Sequence, residues 1–152
     1  EALGYNYRIT DFQAALGISQ LKKLDAIKAR RREIVNYYNQ KFSGIDELIL
    51  PYEDESVDSN FHLYILQVKD NPRFDRYDLF TYMQSKNYQP MVHYIPVHLL
   101  GYYKKRFGYK RGDFPVSEYY YDHAVSIPLY PSLTDEEVEK VVDDITNFVE
   151  SK

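Results

Sequence analysis

The stretch Leu3-Gly4-Tyr5-Asn6-Tyr7-Arg8-Ile9-Thr10-Asp11-Phe12-Gln13-Ala14-Ala15 reads as an extended segment running into the start of a helix. Thr10 followed three residues later by Gln13 is a capping box. The threonine hydroxyl accepts an orphan N–H of the first turn, and the glutamine reaches back to the cap. Ahead of the cap, Tyr5 and Tyr7 alternate with Asn6 and Arg8. An extended backbone therefore turns the rings one way and the amide and guanidinium the other. Arg8 offers a planar fork of donors suited to phosphate or carboxylate. An anion held there would also feel the positive end of the helix. Two readings stay open: Asn6 and Arg8 bind an anion, or they fasten the backbone where it meets the helix.

Downstream, Leu21, Leu24, Ile27, Ile34, Val35, Tyr38 and Phe42 fall at helical spacing, interrupted by Arg31. They predict one helix from Asp11 to about Phe42, stopped by Ser43-Gly44. About 32 residues at 1.5 Å each would reach roughly 48 Å, more than one small domain needs, so this helix is expected to link two lobes. Ala14, Ala15 and Gly17 make its opening turns slim. Arg30-Arg31-Arg32 reads as a solvated face. The best strand is residues 60–68, rich in aromatic and β-branched side chains. A second is expected at residues 90–95, cut by Pro96, with shorter extended runs at 48–50 and 125–129. Arg76 to Lys86 reads as an amphipathic helix with Tyr77, Phe80 and Met83 or Tyr82 inward. Pro115 opens another helix. Thr134 with Glu137 repeats the capping box ahead of a clean Val138, Val141, Val142, Ile145, Phe148, Val149 stripe. This order predicts an α/β (α+β) fold: a small sheet with helices on one face, preceded by a long linking helix.

Composition narrows the chemistry. The 152 residues suit one domain, and a formal net charge of −4 offers no basic field for nucleic acid. The absence of cysteine excludes disulfides and thiolate metal sites. No apolar run approaches the roughly 20 residues of a membrane span. The 17 tyrosines suit half-buried surfaces and interfaces. Neither a glycine-rich phosphate loop nor a G-x-S-x-G elbow is present. His62, His93, His98 and His123 form no H-x-x-x-H pair, so a metal centre is not expected. His62 reads as a structural residue of its strand. His93, Tyr94 and His98 lie where a strand gives way to a proline-stiffened loop, flanked by Tyr102 and Tyr103. Such a cluster can stack on a base or sugar and hydrogen-bond hydroxyls, or it can simply pack. The most specialised motif stands at the start of a chain that lacks an initial methionine, which suggests that sequence precedes it.

Four collinear stretches carry a resemblance: residues 3–17 with Gln20-Leu21, then Val92-His93-Tyr94-Ile95-Pro96-Val97-His98, Gly112-Asp113-Phe114-Pro115-Val116-Ser117-Glu118, and Ser126-Ile127-Pro128-Leu129-Tyr130-Pro131-Ser132-Leu133-Thr134. Together they resemble the DegT–StrS family of pyridoxal-phosphate sugar-nucleotide aminotransferases, of aspartate-aminotransferase fold. The resemblance implies that residues 1–42 are the N-terminal motif and long linking helix. It implies that residues 43–152 are the small C-terminal domain, and that the large domain with the cofactor-holding lysine has no counterpart here. Asn6 would reach the cofactor phosphate of a partner subunit across a homodimer. Arg8 would lie near that phosphate or those of the nucleotide sugar. His93 and Tyr94 would approach the sugar nucleotide, with His98 and Tyr103 extending the set. The whole protein would move an amino group, from glutamate, to a nucleotide-linked keto sugar for amino-sugar and polysaccharide synthesis. It would do so in the cytoplasm, without membrane or nucleic acid. The chain alone would be inactive and would not retain pyridoxal phosphate. The alternative is a stand-alone, non-catalytic dimerisation or sugar-binding module.

Overall fold

The capping box at Thr10 forms: its hydroxyl accepts from Gln13 N–H at 3.4 Å, and its own N–H donates to the Gln13 side chain at 2.9 Å. The structure, a computed structural model, describes Gly4, Tyr5 and residues 7–152; Asn6 lies outside the described residues. The helix that follows is not continuous. It divides into α1 (Asp11–Leu21) and α2 (Leu24–Phe42) around a turn at Lys22-Lys23. Lys23 N–H donates to Gln20 O at 2.9 Å, an i→i−3 bond that tightens the ladder for one turn. Lysine is a good helix former, so propensity gives no sign of this break. The backbone stays near the helical region, at φ −62°, ψ −18° for Lys22 and φ −102°, ψ −2° for Lys23, so the apolar period runs through it nearly undisturbed.

The two helices differ in what they bury. Ile34, Val35, Tyr38 and Phe42 of α2 are core residues, whereas α1 buries none. Around α1, Tyr5, Tyr7, Ile9, Phe12, Leu16 and Ile18 are all exposed. Exposed apolar surface on this scale drives association. Concentration-dependent self-association is therefore expected in sedimentation experiments, and a strictly monomeric profile at high concentration would contradict it.

Three short strands form one antiparallel sheet in the order β1 (Leu48–Ile49), β2 (Tyr64–Val68), β3 (Ala124–Ile127). Tyr64, Leu66 and Val68 of β2 are buried and their alternates half-buried. All four residues of β3 are buried, so both of its faces are covered. The strand expected from residue 60 begins only at Tyr64. Phe61 has φ +41°, outside strand geometry, and its N–H is taken by the Ser59 hydroxyl at 3.0 Å. His62 accordingly sits exposed in a bend ahead of β2, not within the strand. The strand expected at 90–95 reduces to one bridge, Met91 with Ser126. Pro90 and Pro96 supply no N–H, and no ladder propagates between them.

The core lies between the sheet, α2, α3 (Arg76–Ser85) and α6 (Asp135–Glu150). The second capping box forms at Thr134, and α6 buries its stripe as the spacing predicts. Phe148 meets the rings of Phe74 and Tyr82, each at 5.0 Å. In α3 the buried residues are Leu79 and Met83, with Phe80 and Tyr82 half-buried and Tyr77 exposed. A capping box between Asp75 and Asp78 opens α3, and packing on α6 and β3 buries the Leu79 and Met83 side, leaving Tyr77 on the opposite face. Tyr38 is fully buried beneath the sheet, its hydroxyl donating to Pro128 O at 2.9 Å.

The arginine run is not a solvated face. Arg30 donates to Leu133 O and to Asp135, each at 2.7 Å, which ties α2 to the start of α6. Arg32 forks onto Glu53, reaches Ser59 O at 3.1 Å and covers the Phe61 ring at 4.6 Å. It thereby holds the acidic 52–59 loop against α2. Sequence spacing alone cannot distinguish cations that face water from cations that meet a carboxylate twenty residues away.

A second electrostatic clasp joins α5 (Pro115–His123) to the turn after β2. His123 Nδ1 faces Tyr119 O at 2.6 Å and Nε2 faces Asp70 at 3.0 Å. Both partners are acceptors, so only the doubly protonated ring satisfies both. Burial works against the charge, but Asp70 and the Tyr119 carbonyl outweigh it and raise His123 above its ordinary value of 6.5. A raised folded value adds stability fully present below the unfolded value and lost as pH rises through the folded one. The denaturation midpoint should therefore fall as pH rises above about 6.5. His123→Gln should flatten that part of the profile; an unchanged profile in the variant would remove the assignment.

Candidate functional site

The segment after Pro90 is held by its ends. The Met91–Ser126 bridge anchors one end to β3. Beyond it, His93 Nδ1 meets the Ser126 hydroxyl at 2.7 Å, and the His93 and Tyr94 rings stand edge to face at 4.6 Å. The peptide between them is cis. His93 is half-buried while Tyr94 is 72% exposed. The strand thus pins the imidazole and presents the tyrosine to whatever lies outside.

Pro96 then leads into a short 3-10 turn, Val97–Leu99, and α4 (Gly101–Phe107). His98 is turned inward, 7% exposed, and its Nε2 lies 2.8 Å from the Glu118 carboxylate. Glu118 also accepts the N–H of Gly112 at 2.8 Å and of Phe114 at 3.2 Å. Burial pushes its carboxyl up, but the Gly112 N–H, the His98 ring and the Phe114 N–H outweigh that and hold it below the ordinary carboxylate range. Gly112, at φ +99°, makes the turn that aims these amides at one carboxylate. Around His98 stand Val97, Tyr103, Phe107, Tyr109 and Phe114, lining a cavity of about 500 Å³. Tyr103 stacks on Phe107 at 6.0 Å, and Tyr109 meets Phe114 at 5.5 Å.

His93 with Tyr94 therefore form one pair and His98 with Tyr103 another, the second around a cavity of its own. Arg8 is exposed in the extended segment just ahead of the α1 cap, and Asn6 lies outside the described residues. Among the described residues no cluster of histidines and carboxylates could hold a metal ion. No described helix is long and apolar enough to cross a membrane.

The sequence pattern of the DegT/DnrJ/EryC1/StrS aminotransferase family matches residues 1–146. The chain belongs to that family. Among its relatives, the spore coat polysaccharide biosynthesis protein SpsC of Bacillus subtilis is 40% identical over 151 residues, 98% of this chain and 39% of SpsC. The dTDP-3-amino-3,6-dideoxy-alpha-D-galactopyranose transaminase of Aneurinibacillus thermoaerophilus is 32% identical over 95% of this chain and 38% of its own length. The sugar aminotransferase Spr1654 of Streptococcus pneumoniae, solved in its PLP form, superposes with a TM-score of 0.85 at 28% identity, over 95% of this chain and 36% of that one. The chain thus spans about two fifths of the length of these relatives.

Within this DegT/DnrJ/EryC1/StrS chain, sequence reasoning missed two residues of the site. Ser126, which orients His93, sits in a strand whose outer contacts are set only by folding. Glu118 lies in the first turn of α5, where an acid reads as ordinary helix-dipole complement. Its one available signal is the Gly112-Asp113-Phe114-Pro115 turn directly before it.

Proposed function

We propose that this chain is the C-terminal part of a pyridoxal-phosphate-dependent sugar aminotransferase, with residues 1–42 linking to a larger domain and residues 43–152 forming the small domain. In this reading the whole protein, a homodimer in the cytoplasm, passes an amino group from glutamate to a nucleotide-linked keto sugar. The observation that carries the reading is the His93–Tyr94 pair. A buried strand fixes its imidazole, and its tyrosine ring is left facing outward in the family's own motif.

The chain's residues fit one end of the cofactor and not the other. Arg8, ahead of a capped helix N-terminus, has the donor chemistry of a phosphate site, and Asn6 would add an amide. None of the lysines is buried, so none is shielded in the way a covalent anchor requires. Pyridoxal phosphate, when bound, supplies the electron-withdrawing ring that accepts and hands on the amino group. Arg8 and Asn6 would hold its phosphate. Tyr94 would offer a ring face to the sugar, and His93, oriented by Ser126, a polar edge.

The test is expression of the complete reading frame that contains this chain. Glutamate-dependent amination of a dTDP-linked keto sugar supports the proposal, and a reading frame that starts at Glu1 would favour the non-catalytic module. In the complete protein, Asn6→Ala should weaken cofactor retention about ten- to a hundredfold, the value of a hydrogen bond to a charged group. A heterodimer supplies the decisive measurement. Its one cofactor-holding lysine sits on the Asn6→Ala subunit, and the partner keeps its asparagine. That site should retain cofactor like wild type. Retention as poor as in the Asn6→Ala homodimer would show that Asn6 does not act across the dimer.

A further inference from the structure

We infer that a second cavity, apart from the histidine loop, binds a small aromatic carboxylate, with its acid group on Lys86 and Lys140 and its ring against Tyr88 and Tyr130. The cavity is built by residues 86–89 after α3, by Pro128 and Tyr130 after β3, and by the first turns of α6. It shares no lining residue with the His93–Tyr94 pair or with the cavity around His98, and the inference does not depend on amine transfer.

Charge comes first. Asp144 is buried, and two ammonium groups approach its carboxylate, Lys140 at 2.7 Å and Lys86 at 3.4 Å. The Tyr88 hydroxyl donates to the same carboxylate at 2.8 Å. Two cations thus share one anion, which leaves a local surplus of one positive charge. The surplus holds at neutral pH. Tyr82 and Asp144 raise Lys86, and Asp144 and Tyr88 raise Lys140. Burial pushes Asp144 up, but Lys140, Tyr88 and Lys86 outweigh it and keep the carboxyl ionised. Glu137 is the one acid among the described lining residues. Its carboxylate accepts the Thr134 N–H at 2.9 Å in the α6 capping box, where the positive end of the helix offsets its charge. One lysine suffices to neutralise Asp144, so the second is available to a ligand acid.

The walls set the rest of the ligand. The cavity holds about 520 Å³, within the range of small-molecule sites. Its lining includes Leu133 and Val141, both buried, and the half-buried Pro128. The Tyr88 ring is half-buried there and that of Tyr130 exposed. A bare inorganic anion would leave this apolar and ring surface uncovered. A neutral ring would leave the surplus charge unpaired. A carboxylate brings one negative charge, equal to the surplus, whereas a phosphate monoester brings about −1.5 to −2. An aromatic body with one carboxylate meets both demands, since flat rings pack on tyrosine faces and charge-assisted hydrogen bonds from ammonium groups hold the acid.

The probe is 4-hydroxybenzoate, added to the 152-residue chain and followed by nuclear magnetic resonance of the tyrosine rings and lysine ammonium groups. Tyr88 and Tyr130 should shift, and Tyr94 and Tyr103 should not. Two comparison ligands separate charge from ring. 4-Hydroxybenzamide keeps the ring without the charge, and acetate keeps the charge without the ring. Each should bind about tenfold more weakly. Lys86→Gln removes the surplus while Asp144 keeps Lys140 and Tyr88 as partners. Its affinity should fall about tenfold, with the urea midpoint and the Phe148 resonances nearly unchanged, because an exposed pair adds little stability. Tyr130→Ala should cost about fivefold through the lost ring face. Equal affinity for the benzamide or for acetate overturns the inference, as does wild-type affinity in Lys86→Gln. So does the absence of shifts at millimolar ligand, or shifts confined to Tyr94 and Tyr103. Each of these failures leaves the aminotransferase reading intact.

Discussion

No 2-oxoglutarate above background is expected when the 152-residue chain is incubated with glutamate, pyridoxal phosphate and a nucleotide-linked keto sugar. The reason lies in its lysines. Covalent work by a lysine amine requires a neutral nucleophile, produced by burial or by a neighbouring cation that lowers its pKa. Here the environment acts the other way. Lys86 is raised by the Tyr82 hydroxyl and by Asp144, and Lys140 by Asp144 and Tyr88. Lys28 is bound to Asp58. Lys86 and Lys140 are thereby held as ammonium ions, although both line a cavity of about 520 Å³ beside Tyr88 and Tyr130. Cofactor absorbance should likewise disappear on dialysis. A band that survives dialysis, and that borohydride converts into an adduct on one lysine of this chain, would overturn the expectation and with it the assignment of the chemistry to another domain.

Phe148→Ala should have the largest effect on the fold itself. Phe148 is 2% exposed, and it is the ring through which α6 meets both Phe74 and Tyr82 of the α3 region. Truncating a buried phenylalanine removes its transfer free energy and leaves a cavity, about 3–5 kcal/mol together. Small domains hold only about 5–15 kcal/mol in all, so the variant should be marginal. The urea midpoint should drop steeply with the slope unchanged. Phe148→Leu, which keeps most of the volume, should recover more than half of the loss. A cost below about 1 kcal/mol for the alanine variant would mean that the α6–α3 contact is not where the domain is held together.

Much of the fold is legible because its signals are local. The boxes at Thr10 and Thr134 close within three residues, and Pro115 opens α5 where proline costs a helix nothing. The α6 stripe repeats a period that only one face can bury. The expectations that failed depend on distant partners. The strand at 90–95 had the right residue types, yet only Met91 finds a ladder position. Tyr77 has the body of a core residue, but α3 turns Leu79 and Met83 toward β3 and α6 and leaves Tyr77 on its exposed side.

The same division runs through the candidate site. His93, Tyr94, His98 and Tyr103 read in sequence as one cluster on a stiff loop. The stretch around them, together with residues 3–17, 112–118 and 126–134, carries the resemblance to the family whose pattern matches residues 1–146. The sequence by itself thus determined the capped starts of α1 and α6, the α6 core stripe and the residues worth testing, because hydrogen bonds that close within one turn and a period of 3.6 are written in neighbouring letters. Only the tertiary structure decided that His93 is pinned from outside its loop by Ser126. Only it turned His98 inward to Glu118, twenty residues on, at the edge of an aromatic cavity. Those pairings are set by how β3 and α5 pack against the loop, and a contact between segments so far apart leaves no period in the chain.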